Sequence, residues 1–445
     1  MDPVVVGYAG LAIVLALILF RVPIAFALGG VGFAGLIVVI GWPQGGGFEF
    51  ERGWSAAIAF IAFEPFSFIS SFALVAIPMF MMMGYVAYHA GFTRDLYNTA
   101  RVWLSGTPAG LAMASVVGCA MFAAVSGSSL ATAAAMGKLA VPEMLRHKYD
   151  KGLATGVVAA SGTLGSLIPP SILMILYGIF TEQSIGKLLI AGFIPGVLSA
   201  LIYMGMIWVR ASINPALAPR PESVTWGERF RSLKGTWSII VLFALVMGGI
   251  YLGVVTPTEA AAVGAAGAWG LAALAKRLDK KTAKMSIAET VTQVASVFAI
   301  VLGAKIFVGF ISFTGIAASL SIWALSLDLP PMGVLLALSM IYIILGTFMD
   351  PLGIMLLTLP VVTPVVEQLG YDLIWFGVVM IMIIEISLIT PPVGLNLFVI
   401  QGLLPGSTTG EIFRGTLPFM GLMALTLILV VAFPSLSTWL PQLMR

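Results

Sequence analysis

The chain has 445 residues, of which 60% are hydrophobic and only 9% are charged, whereas soluble domains carry about 25% charged residues. This composition excludes a water-soluble enzyme, and the net charge of +3 gives no electrostatic basis for binding nucleic acid. Apolar runs of about 18 residues or more recur along the chain, and each could cross a hydrocarbon core of roughly 30 Å as a helix. The sequence therefore predicts an all-α polytopic membrane protein that spans a lipid bilayer.

The N-terminal region predicts three membrane spans and one interfacial helix. The first apolar run is interpreted as a retained span because no basic region precedes it. Residues 93–104 set apolar side chains at helical spacing against charged ones, which is typical of a helix lying in the membrane interface. The predicted spans are 3–20, 22–41 and 72–90, with a shallow or surface segment at 42–71.

A hairpin is predicted where the apolar segments 108–125 and 130–145 meet at a Ser/Gly cluster. One continuous helix here would be roughly 55 Å long, far more than the bilayer core needs. A turn at the cluster instead returns the chain to the side that it left. The positive-inside rule assigns that side to the cytoplasm, because it carries Arg101, Arg146, Lys148 and Lys151.

The rest of the chain predicts a crossing segment at 151–180 and a polar linker at 211–234. The linker is also assigned to the cytoplasm by its basic residues, which are Arg220, Arg229, Arg231 and Lys234. Further spans are predicted at 186–208, 236–254, 258–275, 296–313, 331–348, 350–368, 372–404 with a break, and 413–434.

The two halves of the sequence match at a fixed offset of 222 residues. The matched pairs are Pro108 with Pro330, Pro142 with Pro364, Tyr149-Asp150 with Tyr371-Asp372, and Pro169-Pro170 with Pro391-Pro392. The loop that holds the second Tyr-Asp pair has no Lys or Arg nearby, so it is assigned to the outside and the two copies are predicted to be inverted. Inverted repeats with interrupted helices are typical of secondary transporters.

The first repeat offers hydroxyl and backbone oxygens at two places. At the hairpin tip, small polar residues could supply ligands for a hard cation such as Na⁺, or could simply permit close helix packing. In the crossing segment, glycines followed by Pro169 and Pro170 predict an unwound helix with free carbonyls, the alternative being a plain proline kink. The candidate ligands are Ser126, Gly127, Ser128, Ser129, Ser161, Gly162, Thr163 and Gly165.

The second repeat offers counterparts and one carboxylate. Asp350 at the second hairpin tip is unfavourable in apolar surroundings unless it is paired, protonated or bound to a cation; alternatively it caps a helix. Glu385 is a weaker candidate, because Thr163 occupies its place in the first repeat. Lys305 could neutralise a carboxylate or an anionic substrate, but it is expected to snorkel or to pair with a fixed structural partner. The candidate ligands are Thr347, Asp350, Ser387, Thr390, Gly394 and Asn396, with the second helix break at Pro391 and Pro392.

Several strings of residues resemble the large membrane subunit of the tripartite ATP-independent periplasmic (TRAP) transporters. The resemblance covers nearly the whole chain, and its long motifs make it specific. The strings are 122–129, Pro142-Glu143-Met144, 162–165, 168–172, 256–260 and 390–396.

The resemblance implies an elevator-type carrier in a bacterial inner membrane that uses a Na⁺ gradient to import an organic acid, such as a C4-dicarboxylate or sialic acid. It implies two partners, a periplasmic binding protein and a separate small membrane subunit of about four helices, and it assigns the cation sites to the two hairpins and broken helices described above. Two other functions stay open, a carrier that needs no binding protein and a channel-like module. An enzyme is not expected, because the spans hold no catalytic set of His, Asp and Cys.

The same reading divides the chain into six parts. Residues 1–104 and 235–328 are expected to form scaffold helices, each followed by an interfacial arm. Residues 105–182 and 329–404 are expected to form the transport core of each repeat. Residues 183–234 connect the repeats, and residues 405–445 form a C-terminal helix.

Overall fold

The computed structural model describes residues 2–43, 46–219, 224–327, 329–404 and 407–444, and within these ranges the regular secondary structure is helical. Among these described residues, six helices are long and apolar enough to cross a membrane, and a pair of helices bent by 55° is a further candidate. The prediction of an all-α polytopic membrane protein is confirmed. Arg220, which helped to assign the linker, lies outside the described residues.

The N-terminal region forms the predicted helices and one more. Asp2 caps the first helix by accepting from the Val4 amide at 2.9 Å, and Pro3 occupies the first turn, where a missing amide hydrogen is tolerated. The segment expected to be shallow contains a helix that the sequence did not indicate, α3. The helices are α1 (Pro3–Leu19), α2 (Ile24–Gly41), α3 (Phe50–Ile69), α4 (Ala76–His89) and α5 (Phe92–Leu104).

The first hairpin and the broken helix that follows it occur where they were predicted, whereas the return of the hairpin to the side that it left stays a prediction. The turn lies at the Ser/Gly cluster, and the crossing segment is interrupted near its two prolines. The helices are α6 (Gly110–Ser126), α7 (Ser129–Arg146), α8 (Lys151–Gly162) and α9 (Ile172–Phe180).

The middle of the chain holds the longest helix. This helix, α15, has 35 residues and begins well before the predicted span; it packs along α2 and against α4. The helices are α10 (Ile185–Ala191), α11 (Phe193–Ile213), α12 (Trp226–Ser232), α13 (Trp237–Tyr251), α14 (Pro257–Leu274), α15 (Lys280–Thr314) and α16 (Ile316–Ser326).

The second hairpin, the second broken helix and two C-terminal helices complete the chain. They are α17 (Pro331–Gly346), α18 (Pro351–Gln368), α19 (Leu373–Ser387), α20 (Leu395–Gly402), α21 (Thr409–Ala432) and α22 (Ser435–Gln442).

Helix bounds in the two halves coincide at the offset of 222 residues. Helices α7 and α18 begin and end at matching positions, α8 and α19 begin together, and α9 and α20 end together. The Pro169-Pro170 and Pro391-Pro392 peptide bonds are both cis. Each half therefore contains a hairpin followed by an interrupted helix, whereas the opposite orientation of the halves stays a prediction.

Candidate ion and substrate site

The tip of the first hairpin is a sharp turn between α6 and α7. Gly127 ends α6 at φ +64°, in the left-handed region that glycine adopts most readily. Ser128 caps α7 by accepting from the Ala131 amide at 3.4 Å. The Gly127 carbonyl accepts from the Ile172 amide at 3.1 Å. The tip is therefore bonded to the first residue of α9.

The first broken helix lies directly against this tip. Helix α8 ends at Gly162, and a 3₁₀ turn over Thr163–Ser166 follows before the proline pair. The structure thus has the predicted interruption in place of a continuous kinked helix. A Cβ atom on Gly165 would lie 2.6 Å from the Ser128 carbonyl oxygen. Only a residue without a side chain allows the tip to approach the break so closely.

Hydroxyl groups form a short chain between the tip and the break. The hydroxyl oxygens of Ser129 and Ser166 are 2.6 Å apart, and Ser129 donates to Glu385 Oε1 at 2.5 Å. At the other side of the tip, the hydroxyls of Ser126 and Thr132 are 2.8 Å apart. The first-repeat tip is thereby bonded to a helix of the second repeat.

The remaining first-repeat candidates lie at the end of α8 and in the turn that follows it. Ser161 Oγ is buried and has no hydrogen-bond partner among the described residues. The Thr163 hydroxyl donates to the Ala160 carbonyl at 2.5 Å, which satisfies it locally. Gly162 packs on Ala133 of α7, where an added Cβ would lie 2.7 Å from the alanine methyl carbon. Of these, Ser161 alone offers an unused oxygen.

The second hairpin tip carries the carboxylate. Thr347 follows α17 and donates to the Ile344 carbonyl at 2.8 Å. Asp350 caps α18, since its Oδ1 accepts from the Gly353 amide at 2.7 Å. The capping alternative is therefore present in the geometry. It does not exclude an ion ligand, because a carboxylate has a second oxygen with lone pairs of its own.

The second broken helix abuts the second tip. A Cβ atom on Gly346 would lie 1.7 Å from Ser387 Oγ, so the end of α17 lies directly on the end of α19. The Ser387 and Thr390 hydroxyls donate to the carbonyls one turn earlier, Ile384 and Ile386. Gly394 starts α20 at φ +61°, beyond the proline pair.

Asn396 connects the second break to the first. Its Nδ2 donates to the Ala159 carbonyl in α8 at 3.2 Å. Its Oδ1 is buried and has no hydrogen-bond partner among the described residues. The amide thus ties α20 to α8 and leaves one oxygen unused.

Both hairpin tips line one cavity of about 220 Å³, which we name the inner cavity. The first half contributes Gly127, Ser128, Ser129 and Ser166, and the second contributes Asp350. The structure therefore brings together Asp350 and three of the first-tip candidates. The candidates outside its lining are Ser126, Ser161, Gly162, Thr163, Gly165, Thr347, Ser387, Thr390, Gly394 and Asn396, together with the proline pairs Pro169, Pro170, Pro391 and Pro392.

Glu385 bonds to Ser129 of the inner cavity, although it was the weaker candidate when the two repeats were compared. It is fully buried in α19, its Oε1 accepts from Ser129, and its Oε2 has no partner among the described residues. Its carboxyl group in apolar surroundings is what made it a candidate, though a weaker one, from the sequence. Ser166 was not among the candidate ligands, because only the fold shows that it lies beside Ser129.

Lys305 has the fixed partner that was expected. Its ammonium lies 3.6 Å from Glu64 of α3 and 5.1 Å from the ring centre of Phe68. Both partners belong to the helix that the sequence did not indicate. Lys305 is therefore not part of the inner cavity's chemistry.

Comparison with known proteins identifies the family. The profile described as "Tripartite ATP-independent periplasmic transporter, DctM component" matches residues 11–436. The chain belongs to this family of TRAP transporter subunits. The resemblance seen in the sequence is thereby confirmed, as is a role in membrane transport.

Two relatives illustrate the range of the TRAP family. The C4-dicarboxylate TRAP transporter large permease protein DctM of Pseudomonas aeruginosa is 37% identical over 88% of this chain and 93% of its own length. The sialic acid TRAP transporter large permease protein SiaM of Vibrio cholerae is 32% identical over 87% and 91%. Large permeases of this family act with a small membrane subunit and a periplasmic binding protein.

A solved structure supports the fold alone. The crystal structure of the YdaH transporter from Alcanivorax borkumensis superposes with a TM-score of 0.59 and covers 100% of both chains. Its sequence is only 12% identical to this one. The likeness therefore extends to the helix arrangement and not to the chemistry of the site.

Proposed function

We propose that this TRAP large permease imports an organic acid across a bacterial inner membrane by coupling it to Na⁺. The acid would be delivered by a periplasmic binding protein, and the chain would act together with a separate small membrane subunit. The observation that carries the proposal is the inner cavity, in which the serine-rich first tip and Asp350 of the second tip meet.

The oxygens around the two breaks suit Na⁺. Hard cations bind oxygen ligands from carboxylates, carbonyls and hydroxyls, and the two tips present these groups. Three nearby side chains hold buried oxygens without a partner among the described residues, namely Ser161, Glu385 and Asn396. Burial of an unpaired polar atom is unfavourable, so an additional ligand at these positions would relieve a cost that the protein alone leaves in place.

Ion binding would couple the gradient to movement of the site. An ionised Asp350 is unfavourable in hydrocarbon, and Na⁺ would neutralise it together with the exposed helix ends of the tips. A loaded site could then slide through the bilayer as an elevator, with the hairpins and broken helices of 105–182 and 329–404 moving against the scaffold of 1–104 and 235–328. Substrate would move only with its ion, since the empty carboxylate opposes the slide.

Two relatives support a substrate class. The two described above are named for C4-dicarboxylates and for sialic acid, which share a carboxylate and little else. We therefore propose a carboxylate-containing substrate and leave its skeleton to a screen.

The test is transport by the reconstituted complex. The chain, its small subunit and its binding protein are placed in liposomes under an inward Na⁺ gradient, and uptake of radiolabelled acids is measured. We expect saturable uptake that needs Na⁺ and the binding protein, and saturable counterflow of labelled substrate. Uptake without the binding protein would indicate an independent carrier, and flux that does not saturate would indicate a channel; either result would overturn the proposal.

A further inference from the structure

Two more cavities adjoin the inner cavity and extend it toward the predicted cytoplasmic side. The middle cavity, of about 200 Å³, shares Ser128 and Gln293 with the inner one. The outer cavity, of about 340 Å³, shares Tyr88 and Lys138 with the middle one. It is also lined by Arg94, at the start of the amphipathic helix α5. The three cavities thus follow one another from the paired tips, past Lys138 in the middle of α7, to the start of α5.

Lys138 stands where the middle and outer cavities join. It lies near the centre of α7, which runs Ser129–Arg146, so it is more than 10 Å along the helix axis from either end at about 1.5 Å per residue. A lysine within a hairpin that enters the membrane is unfavourable unless it is paired or reaches water. Among the residues that the structure describes, no carboxylate lies within 4 Å of its ammonium group. The side chain is exposed and lines both cavities.

The charges that face the two cavities favour an anion. Arg94 also lacks a carboxylate partner in the described part of the chain, and no Asp or Glu is among the described residues that line the outer cavity. Glu289 lines the middle cavity, with its carboxylate 3.0 Å from His89 Nε2, so it balances Lys138 there and the excess positive charge lies in the outer cavity. Unpaired cations in a concave site with low-dielectric walls concentrate anions there.

The second hairpin has nothing comparable. At the offset of 222 residues, Lys138 matches Pro360, and α18 contains neither Lys nor Arg. The positive charge is therefore a property of the first hairpin and not of the repeat.

We propose that Lys138 binds a carboxylate of the organic acid as the acid passes from the inner cavity to the cytoplasm through the middle and outer cavities. This assignment rests on the proposed function, since it takes an organic anion as the cargo. The ammonium group donates a charge-assisted hydrogen bond to the carboxylate. Its flexible stem lets the charge serve both cavities that it lines.

The first experiment needs no substrate. Tyr88→Cys places a thiol in the lining shared by the middle and outer cavities, while the native Cys119 is buried and gives the background. The full chain is labelled in inside-out membrane vesicles with the anionic reagent 2-sulfonatoethyl methanethiosulfonate and with its cationic trimethylammonium analogue. We expect the anionic reagent to react from the cytoplasmic face, and Lys138→Gln to slow it about fivefold, as loss of one nearby charge in a wet cavity predicts.

Two matched variants isolate the charge. Lys138→Arg keeps the charge and should restore the anionic labelling rate. Lys284→Gln removes an exposed lysine of α15 that lines none of the three cavities, and should leave the rate unchanged. A Tyr88→Cys thiol that does not react from the cytoplasmic face, or a rate that ignores Lys138→Gln, would overturn the assignment.

The second experiment measures counterflow in the reconstituted complex with succinate or another acid that the wild-type complex carries. Lys138→Gln should raise the half-saturating concentration at the cytoplasmic face at least fivefold, and Lys138→Arg should return it to within twofold of wild type. Unchanged half-saturation in Lys138→Gln would exclude carboxylate binding there. If the wild type carries no acid but labelling depends on Lys138, the proposed function is wrong and the anion passage is supported. If acids are carried but labelling does not depend on Lys138, the proposed function is supported and the anion passage is wrong.

Discussion

The second helices of the two hairpins, α7 and α18, have matching bounds, but the two hairpins have very different surroundings. Most residues of α6 in the first hairpin are buried, whereas only a few of α17 in the second are. The first hairpin packs with α8 and, through it, with α21, and α18 of the second packs against α15 and α16. The two copies therefore share the order of their helices, whereas each copy makes its own contacts with the rest of the protein.

The contact between tip and break is built from opposite sides in the two halves. In the first half the glycine belongs to the break, because Gly165 lies under the Ser128 carbonyl. In the second half it belongs to the tip, because Gly346 lies on Ser387. Ser387 occupies the position that matches Gly165. The same close approach is thus made possible by a glycine in the break of the first half and by a glycine in the tip of the second half.

The proline pairs are where we expect the largest effect. Replacing Pro169 and Pro170 by Ala restores two amide donors, so α8 and α9 can join into one helix and displace the tip that is bonded to Ile172. We expect uptake by the reconstituted complex to fall at least tenfold at equal amounts of folded protein. Pro418→Ala, inside α21, is the control and should transport normally. Normal uptake by the double variant would argue that the break is not needed.

Removal of the Glu385 side chain should destabilise the protein by about 2–4 kcal/mol, because it leaves a cavity and frees the hydroxyls that it joins. Glu385→Ala should therefore lower the thermal unfolding temperature in detergent. Glu385→Gln should lower it less, since an amide oxygen can still accept from Ser129. The exposed Glu367→Ala on α18 should change stability by less than about 0.5 kcal/mol. Equal stability of the Ala and Gln variants would contradict a structural role for this bond.

The glycine contacts should respond differently to the same change. Gly346→Ala places a methyl group on the Ser387 side chain and should cost about 1–3 kcal/mol of stability through overpacking. Adding Ser387→Gly removes the obstructing atoms and should restore most of it, since the next neighbour lies 3.3 Å away. Thermal unfolding of the two single variants and the double variant measures this rescue.

Gly165→Ala has no such rescue, because the two nearest atoms that obstruct it belong to the Ser128 backbone, with the Thr132 hydroxyl third. It should therefore stay destabilised whatever side chain stands at position 128. Gly421→Ala in α21, where nothing lies within 4 Å of the added carbon, is the control and should be neutral or slightly stabilising. Rescue of Gly165→Ala by Ser128→Gly would contradict this difference between the two halves, in which backbone obstructs the first contact and a side chain obstructs the second.

Much of the architecture could be predicted from the sequence because the lengths of the apolar segments indicate helices and the Ser/Gly and proline residues between them indicate turns and breaks. The first tip was readable from a Ser/Gly cluster between two apolar segments, and both breaks from proline pairs. Helix α3 was not readable, because Glu51, Arg52 and Glu64 interrupt its apolar pattern. One of these charges pairs with Lys305 of α15, a partner about 240 residues away that only the fold brings near.

The candidate residues of the site could be predicted from the sequence, whereas which of them lie together in the structure could not. Asp350, Gly127, Ser128 and Ser129 were selected as candidates, and the structure brings these four to one cavity. Glu385 was ranked low because the repeat offered no counterpart, yet it bonds the first tip. Comparison within a repeat finds residues that act in the same way twice, and it misses a residue that connects one copy to the other.

The smallest effect is expected at Asp350. It distinguishes a role of Asp350 as an ion ligand from a role as a helix cap. Asn caps a helix about as well as Asp, so Asp350→Asn should leave the thermal unfolding temperature unchanged. It removes the negative charge, however, and should raise the Na⁺ concentration for half-maximal uptake about tenfold, or about 1.4 kcal/mol. Asp350→Ala should do both, with the loss of the bond to Gly353 costing about 1 kcal/mol of stability. Unchanged Na⁺ dependence in the Asn variant would leave Asp350 as a cap alone, and the second tip would then differ from the first in lacking any ligand for the ion.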